Sequence, residues 1–288
     1  MVTGATGFLG WRSTVLLRER GHEVVAVARP GGAVRALGPG AAAVLVDAGD
    51  PAARDLIAGC NAVLHFAGVP DPRSARRDPA RAVRENVGTT LNLLEGCREH
   101  GATLVYPSTL RATIDPPPDE YALSKRLGEE ACRLYRARAA VIRLTSVFGP
   151  GQVAWEGATG AIAAFAARAL EGAPIVIHGD PERRRDFVYV DDVVRALEHI
   201  VAEERAGTIL LASGRATPLR RAAKLVRDAA GSSSPIETPG GDLPPGENES
   251  YQAPDSSGLE SVTPLEEAIQ TYVNWLKTHP AAQSRPRG

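Results

Sequence analysis

The sequence predicts an α/β fold: a doubly wound, mostly parallel sheet, with a smaller and discontinuous lobe built from the C-terminal part of the chain. Three observations carry that expectation. Short apolar runs alternate with longer segments whose apolar residues recur at helical spacing. A glycine triplet, Gly4, Gly7 and Gly10, stands where the first apolar run passes into the first helical segment. After about residue 150 the rhythm changes, with an alanine-rich segment and then a stretch dense in Gly, Pro and Ser at 231–249.

Strands are expected at 24–28, 43–46, 62–65, 103–106, 140–144 and 208–212, each a short Val-, Ile-, Leu- or Ala-rich run. Helices are expected at 10–19, 51–57, 80–100 and 121–135, where apolar residues fall three and four apart. Beyond residue 150 a helix is expected over 155–170, a strand over 175–178, a helix over 191–200 and a loop over 231–249. A last helix spans 264–277, with Leu265, Ala268, Ile269, Tyr272, Val273 and Leu276 on one face. Residues 1–150 form the main domain, and 151–288 form mainly the lobe, with about 183–213 returning to the main domain. Residues past the last helix are expected to fray. Only Met1, Val2 and Thr3 precede Gly4, against about five or six residues in an ordinary strand. Either this strand is short or the natural chain begins further upstream.

Composition narrows the function classes. The chain has 33 basic and 34 acidic residues and a net charge of −1, which gives no pull toward nucleic acid or an anionic membrane surface. No apolar run approaches the roughly 18 residues of a membrane span, and no leader pattern precedes the glycines. Cys60, Cys97 and Cys132 are widely spaced without a metal-ligand pattern and fit reduced, packed thiols. The six histidines show no His-x-x-x-His spacing, so no metal site is expected. A cytoplasmic location is the expectation.

The glycine triplet has a physical logic. Gly4 permits a tight turn, Gly7 lets backbone approach a diphosphate, and Gly10 lets helix and strand pack closely. The helix amino terminus then offers N–H groups and a positive dipole end. A dinucleotide-binding turn of the Rossmann type follows, with Thr6, Phe8 and Leu9 in it. Arg29, about 20 residues on, stands where an acidic residue would bind the adenine ribose hydroxyl. A guanidinium there suits a 2′-phosphate, so NADP(H) is the expected cofactor and NAD(H) the alternative. Asp47, at the end of the third strand with Ala48, is placed to accept a hydrogen bond from adenine.

Tyr121 and Lys125 form Tyr-x-x-x-Lys at the start of a helical segment, four apart and therefore on one face. An ammonium near a phenol favours phenolate, which would let the tyrosine exchange a proton near neutral pH. Ser108 and Thr109 follow the strand at 103–106, where a hydroxyl can bond a substrate oxygen.

The chain resembles the extended short-chain dehydrogenase/reductase family, in its epimerase/dehydratase branch acting on nucleotide sugars. The likeness rests on Val2 to Gly10 and on His65-Phe66-Ala67. It continues through Asn86-Val87-Gly88-Thr89, Tyr121 to Lys125, Phe148 to Gly151, and Arg185 to Asp192. The resemblance implies that Thr109 holds the sugar oxygen, Tyr121 is the acid/base, and Lys125 binds the nicotinamide ribose. It places Phe66, Ala67, Gly68 and Asn86 at the cofactor, His65 as a positioning residue there, and Ser108, Ser146, Arg185 and Asp255 at the substrate. It also implies a homodimer through the helices at 80–100 and 121–135.

Departures from the family pattern narrow the reaction. Leu110 and Arg111 replace the Asp-Glu that follows the threonine in dehydratases, which disfavours dehydration. The loop from Thr109 to Tyr121 is short, Ser146 stands where asparagine is usual, and Arg183 where glutamine is common. With Arg29, these lead to an expected NADPH-dependent reduction of the C4 keto group of a nucleoside-diphosphate 4-keto-6-deoxyhexose, dTDP-linked. The alternative is a nucleotide-sugar 4-epimerase with tightly bound NAD. A third reading is a non-catalytic dinucleotide-binding protein, which retention of Thr109, Tyr121 and Lys125 opposes.

Overall fold

The computed structural model describes residues 1–31, 35–38, 40–155, 160–244, 247, 249–251, 253, 258–259 and 261–283. The chain divides into two compact units. Met1–Leu144 with Val194–Leu210 form the first, and Thr145–Val193 with Leu211–Gly288 the second.

The first unit runs β1 (Val2–Thr3), α1 (Phe8–Glu19), β2 (Ala26–Ala28), β3 (Val44–Leu45), α2 (Ala52–Asp55), β4 (Ala62–His65), α3 (Pro72–Arg77) and α4 (Pro79–Val83). A π-helical turn (Arg84–Gly88) leads into α5 (Thr89–His100). Then come β5 (Thr103–Thr109), a 3₁₀ turn (Leu110–Thr113), α6 (Glu120–Leu134) and β6 (Ala139–Leu144). The second unit supplies β7 (Ser146–Phe148), α7 (Ala161–Leu170), β8 (Ile175–His178) and β9 (Arg184–Tyr189). Helix α8 (Val190–Ala202) carries the chain back to the first unit for β10 (Gly207–Leu211), after which β11 (Ala216–Pro218), α9 (Leu219–Ala230), β12 (Ile236–Gly240), α10 (Leu265–Thr278) and α11 (Pro280–Gln283) complete the second.

The main sheet has the order β10-β6-β5-β4-β1-β2-β3, and β1 to β6 pair in parallel. The order turns at β1, with β2 on one side and β4 on the other, so the crevice beyond the carboxyl ends of β1, β4 and β5 is where such sheets bind ligands. Strand β1 lies in the middle of the sheet, between β4 and β2. Val2 and Thr3 are buried, the Met1 ammonium donates to the Ala62 carbonyl at 2.8 Å, and Leu64 N–H donates to the Met1 carbonyl at 2.9 Å.

Several elements depart from expectation; the helix expected over 155–170 begins at Ala161, with Trp155 in a turn. The helix expected over 80–100 is divided by the π turn at Asn86, a residue whose side chain is taken up by the neighbouring loop. Strand β5 continues through Ser108 and Thr109, because β6 pairs with it as far as Leu144 opposite Thr109. The Gly/Pro-rich stretch contains β12, whose Ile236-Glu237 pairs in parallel with Ile175-Val176 of β8.

In the second unit β7, β9 and β11 form a sheet. Phe148 packs edge-on against Phe187 and Tyr272, and the Tyr272 hydroxyl donates to the Gln152 carbonyl at 2.7 Å. The expected face of α10 is the buried one, from Ala268 through Leu276. Asp192 receives the Thr263 N–H at 2.8 Å and its hydroxyl at 2.7 Å, two residues before that helix. No helix among the described residues is long and apolar enough to cross a membrane.

Candidate active site

The glycine turn is shaped by close contact. Gly4 has φ +63°, and a Cβ there would lie 2.7 Å from the Phe66 backbone. A Cβ on Gly10 would lie 2.1 Å from the Gly4 carbonyl oxygen, so both positions exclude a side chain. Gly7 N–H donates to that same oxygen at 2.9 Å and opens α1, which has no side-chain cap and no acid in its first turn. The first turn of α1 thus sets no carboxylate of its own against the positive end of the helix dipole, and a turn stripped of Cβ atoms fits a diphosphate. Thr6, Phe8 and Leu9 are half-buried around it.

The other expected cofactor residues lie in the same unit. Asp47 is exposed, its carboxylate accepting the Gly49 N–H at 2.8 Å, while the Ala48 carbonyl is held by Asn92 at 2.9 Å. The loop after β4 is clamped by Asn86, which accepts the Val69 N–H at 2.8 Å and donates to Ser124 Oγ at 2.9 Å. Gly68 has φ +137°, and a Cβ on it would sit 2.3 Å from the Asn86 Oδ1. His65 is buried, with its ring nitrogens each 3.1 Å from a hydroxyl, those of Thr3 and Thr90. Burial and the nearby Lys125 push its pKa down to about 3, so the ring is neutral. The six-histidine sequence leaves no group of metal-ligating side chains among the described residues.

Tyr121 and Lys125 lie on the first turns of α6, and Thr109 ends β5. The Thr109 hydroxyl accepts the Arg111 N–H at 3.3 Å, capping the 3₁₀ turn. Lys125 is buried, donates to the Pro107 carbonyl at 2.9 Å, and holds its ammonium 5.9 Å from the Tyr121 ring centre. Burial lowers its pKa to about 8. The Tyr121 phenol is pushed up by burial and by Asp71 and Asp119, while Arg111 opposes the rise. At neutral pH the pair is thus an ammonium and a phenol.

The loop joining Thr109 to Tyr121 is braced by two arginines. Arg111 pairs with Asp119, the cap of α6, whose carboxylate also accepts the Ala122 N–H at 2.8 Å. Arg126 donates to the Ala112 carbonyl at 2.8 Å and to the Asp115 carboxylate at 3.0 Å. A third group, not singled out by its position in the sequence, ties the same elements. Ser108 is buried and donates to Glu129 on α6, and Arg143 on β6 grips the same carboxylate through bonds of 3.0 and 2.6 Å. The available signal was that Glu129 lies four residues beyond Lys125, on the helix face that carries it.

In the second unit Ser146 is half-buried at the start of β7, among Gln152, Gly160, Ile162 and Phe187. Arg185 donates to the carbonyls of Glu247, at 2.8 Å, and Glu249, and its guanidinium lies 4.8 Å from the Tyr251 ring centre. Asp255 lies outside the described residues.

Comparison with known proteins sets these features in a family. A UDP-glucose 4-epimerase of Thermotoga maritima, solved with UDP-glucose, is 26% identical and superposes with a TM-score of 0.82 over 96% of this chain and 97% of its own. A UDP-glucose 4-epimerase of Thermus thermophilus, solved with NAD, is likewise 26% identical with a TM-score of 0.82, over 96% and 98%. UDP-glucuronic acid decarboxylase 1 of Xenopus tropicalis is 25% identical over 96% of this chain and 72% of its own.

These similarities correct the expected reaction. The relatives are epimerases and a decarboxylase rather than NADPH-dependent 4-ketoreductases, their named sugars are UDP- rather than dTDP-linked, and the cofactor seen is NAD. The physical reason lies at Arg29, the residue behind the NADP(H) expectation. Its guanidinium is exposed and 3.5 Å from the Glu85 carboxylate, a charge that attracts the arginine and opposes a 2′-phosphate. Residues 1–211 match the profile of the NAD dependent epimerase/dehydratase family, and the chain belongs to that family.

Proposed function

We propose that the protein is an NAD-dependent 4-epimerase of a UDP-linked sugar. The observation that carries this reading is the placement of Thr109, Tyr121 and Lys125 at the carboxyl end of β5 and the start of α6, in the unit that contains the glycine cradle. Gly4, Gly7, Gly10 and the start of α1 would hold the diphosphate of NAD, with Asp47 and Ala48 toward adenine, Phe66 to Gly68 along the nicotinamide side, and Lys125 at its ribose. When bound, NAD supplies a hydride acceptor for C4 and returns the hydride to the opposite face.

The side chains supply the proton chemistry. Thr109 holds the C4 oxygen and Tyr121 takes its proton, then gives a proton back when C4 is reduced from the other side. The forward step needs phenolate, which Arg111 and the Lys125 ammonium favour against Asp71 and Asp119. The return step needs phenol, the form that burial already secures. Leu110 and Arg111 offer no carboxylates for dehydration. In the second unit, Arg185 and Ser146 are the proposed contacts to the nucleotide sugar. The active form is proposed to be a homodimer joined through α5 and α6.

Interconversion of UDP-glucose and UDP-galactose, followed with and without added NAD, tests the reading. Tyr121→Phe is expected to lower kcat by about 10²- to 10⁴-fold while the protein still binds dinucleotide. Full turnover by Tyr121→Phe sinks the mechanism.

A further inference from the structure

The carboxylate of Glu129 joins three elements of the reactive region, α6, β5 and β6. It belongs to α6, one turn beyond Lys125 and two beyond Tyr121, and is buried. From β5 it receives the hydroxyl of Ser108, the residue directly before Thr109. From β6 it receives a two-pronged grip from Arg143, which pairs with Ser108 across the two strands. A buried carboxylate so enclosed relies on its partners, because removing one leaves a buried polar group unpaired.

A second tie runs beside it, the 2.9 Å bond from the Lys125 ammonium to the Pro107 carbonyl. That bond uses a donor which the proposed chemistry also calls upon. The Glu129 tie does not, and it can fix the distance from Thr109 to the face of α6 while Lys125 serves the reaction. Gly128 brings the surfaces together, since a Cβ there would lie 2.1 Å from the Tyr106 hydroxyl of β5.

We propose that Glu129, held by Ser108 and Arg143, is a positioning residue that sets Thr109 in register with Tyr121 and Lys125. The inference rests on the epimerase reading for its activity measurement. It gives Ser108 a different task from a substrate contact: the hydroxyl is spent on Glu129 and anchors the end of β5.

The test compares wild type with Ser108→Ala, Glu129→Gln and the double variant, each as the full chain with NAD present. Both single variants are expected to lose about 10- to 100-fold in kcat, the scale on which small misplacements of reacting groups act, with KM for UDP-glucose within about twofold of wild type. The double variant is expected to be no slower than the slower single one, since both break one tie. Unchanged kcat, losses that multiply, or a raised KM for Ser108→Ala at constant kcat overturns the proposal, the last restoring Ser108 to the substrate.

Amide hydrogen exchange on the same proteins gives a readout that needs no substrate. Faster exchange confined to 106–110 and 121–130 is expected in both single variants, and unchanged exchange there overturns the proposal. A wild type that turns over no nucleotide sugar removes the epimerase reading but leaves the exchange result to decide whether Glu129 positions these segments.

Discussion

At the scale of single residues, His65 is a buried group that does not titrate at neutral pH. The Thr90 hydroxyl spends its proton on the Asn86 carbonyl at 2.6 Å, so it can only accept from the His65 Nε2–H. His65 Nδ1 then accepts from the Thr3 hydroxyl, whose oxygen accepts the Ala67 N–H at 3.2 Å. The chain of bonds joins β1, β4, the loop after β4 and the π turn, and it has no place for a second ring proton. The folded-state pKa of about 3 lies below the ordinary 6.5, so the unfolded chain takes up a proton through that interval while the folded one does not. Stability from this group is present above about pH 6.5 and falls as pH drops toward 3. Between pH 7 and pH 5 the loss is about 2 kcal/mol, read as the change in urea unfolding free energy. His65→Gln is expected to remove that part of the acid sensitivity. An unaltered pH dependence in the variant would show that other groups carry it.

At the scale of elements, α6 is a beam fixed at its start by Asp119, along its length by Lys125, Gly128 and Glu129, and over the preceding loop by Arg111 and Arg126. Asp71, Asp119 and Arg111 act on the Tyr121 phenol, whose ring centre lies 5.9 Å from the Lys125 ammonium, and of these Arg111 and Asp119 are paired with each other. Arg111→Met leaves Asp119 uncompensated and tightens the hold on the phenolic proton. The limb of kcat governed by that phenol is expected to move to higher pH. Asp119→Asn, which keeps an acceptor at the cap, is expected to move it to lower pH. Read against wild type, kcat at one fixed pH below that limb checks both: Arg111→Met is expected to be slower and Asp119→Asn faster, and a change in one common direction would contradict the assigned signs.

Much of this beam was legible in advance. Tyr121 and Lys125 declare themselves by local spacing, as do the glycines, whose turn and helix are contiguous. Glu129 was not, because its partners Ser108 and Arg143 arrive from strands 21 and 14 residues away in the chain. Arg29 misled for the same reason, since Glu85 lies 56 residues on. The π turn at Asn86 escaped notice because an extra residue in one turn hardly disturbs helical periodicity. Strand β12 was hidden by the Gly and Pro residues around it, although its Ile236-Glu237-Thr238 core has strand character and β8 had an edge to fill.

At the scale of the whole molecule, the first unit leaves large apolar side chains exposed in few places among its described residues. Val44 and Leu45 lie on β3, the edge strand of the main sheet, and Leu134 lies at the end of α6. The remaining three gather on two neighbouring helices: Leu91 on α5, and Leu123 with Leu127 on α6, each about two-fifths exposed. Leu123 and Leu127 are one turn apart and share a face, the arrangement that lets two copies of a helix pair meet about a twofold axis. Each copy would then present the same leucines to the other, and a charge placed there would meet its own symmetry mate or be buried unpaired. Leu127→Glu is therefore expected to reduce the mass in light scattering from about twice 30.4 kDa to the single-chain value, while Leu45→Glu on β3 leaves it unchanged. Wild type at the single-chain mass, or a Leu127→Glu protein that keeps the doubled mass, refutes the helix-pair interface. Because Tyr121 and Lys125 lie on the same helix as Leu123 and Leu127, loss of the partner in the proposed homodimer would remove support from the outer face of α6. The separated Leu127→Glu chain is accordingly expected to lose kcat as well as mass, and a monomer with full kcat would show that α6 is held by its own unit alone.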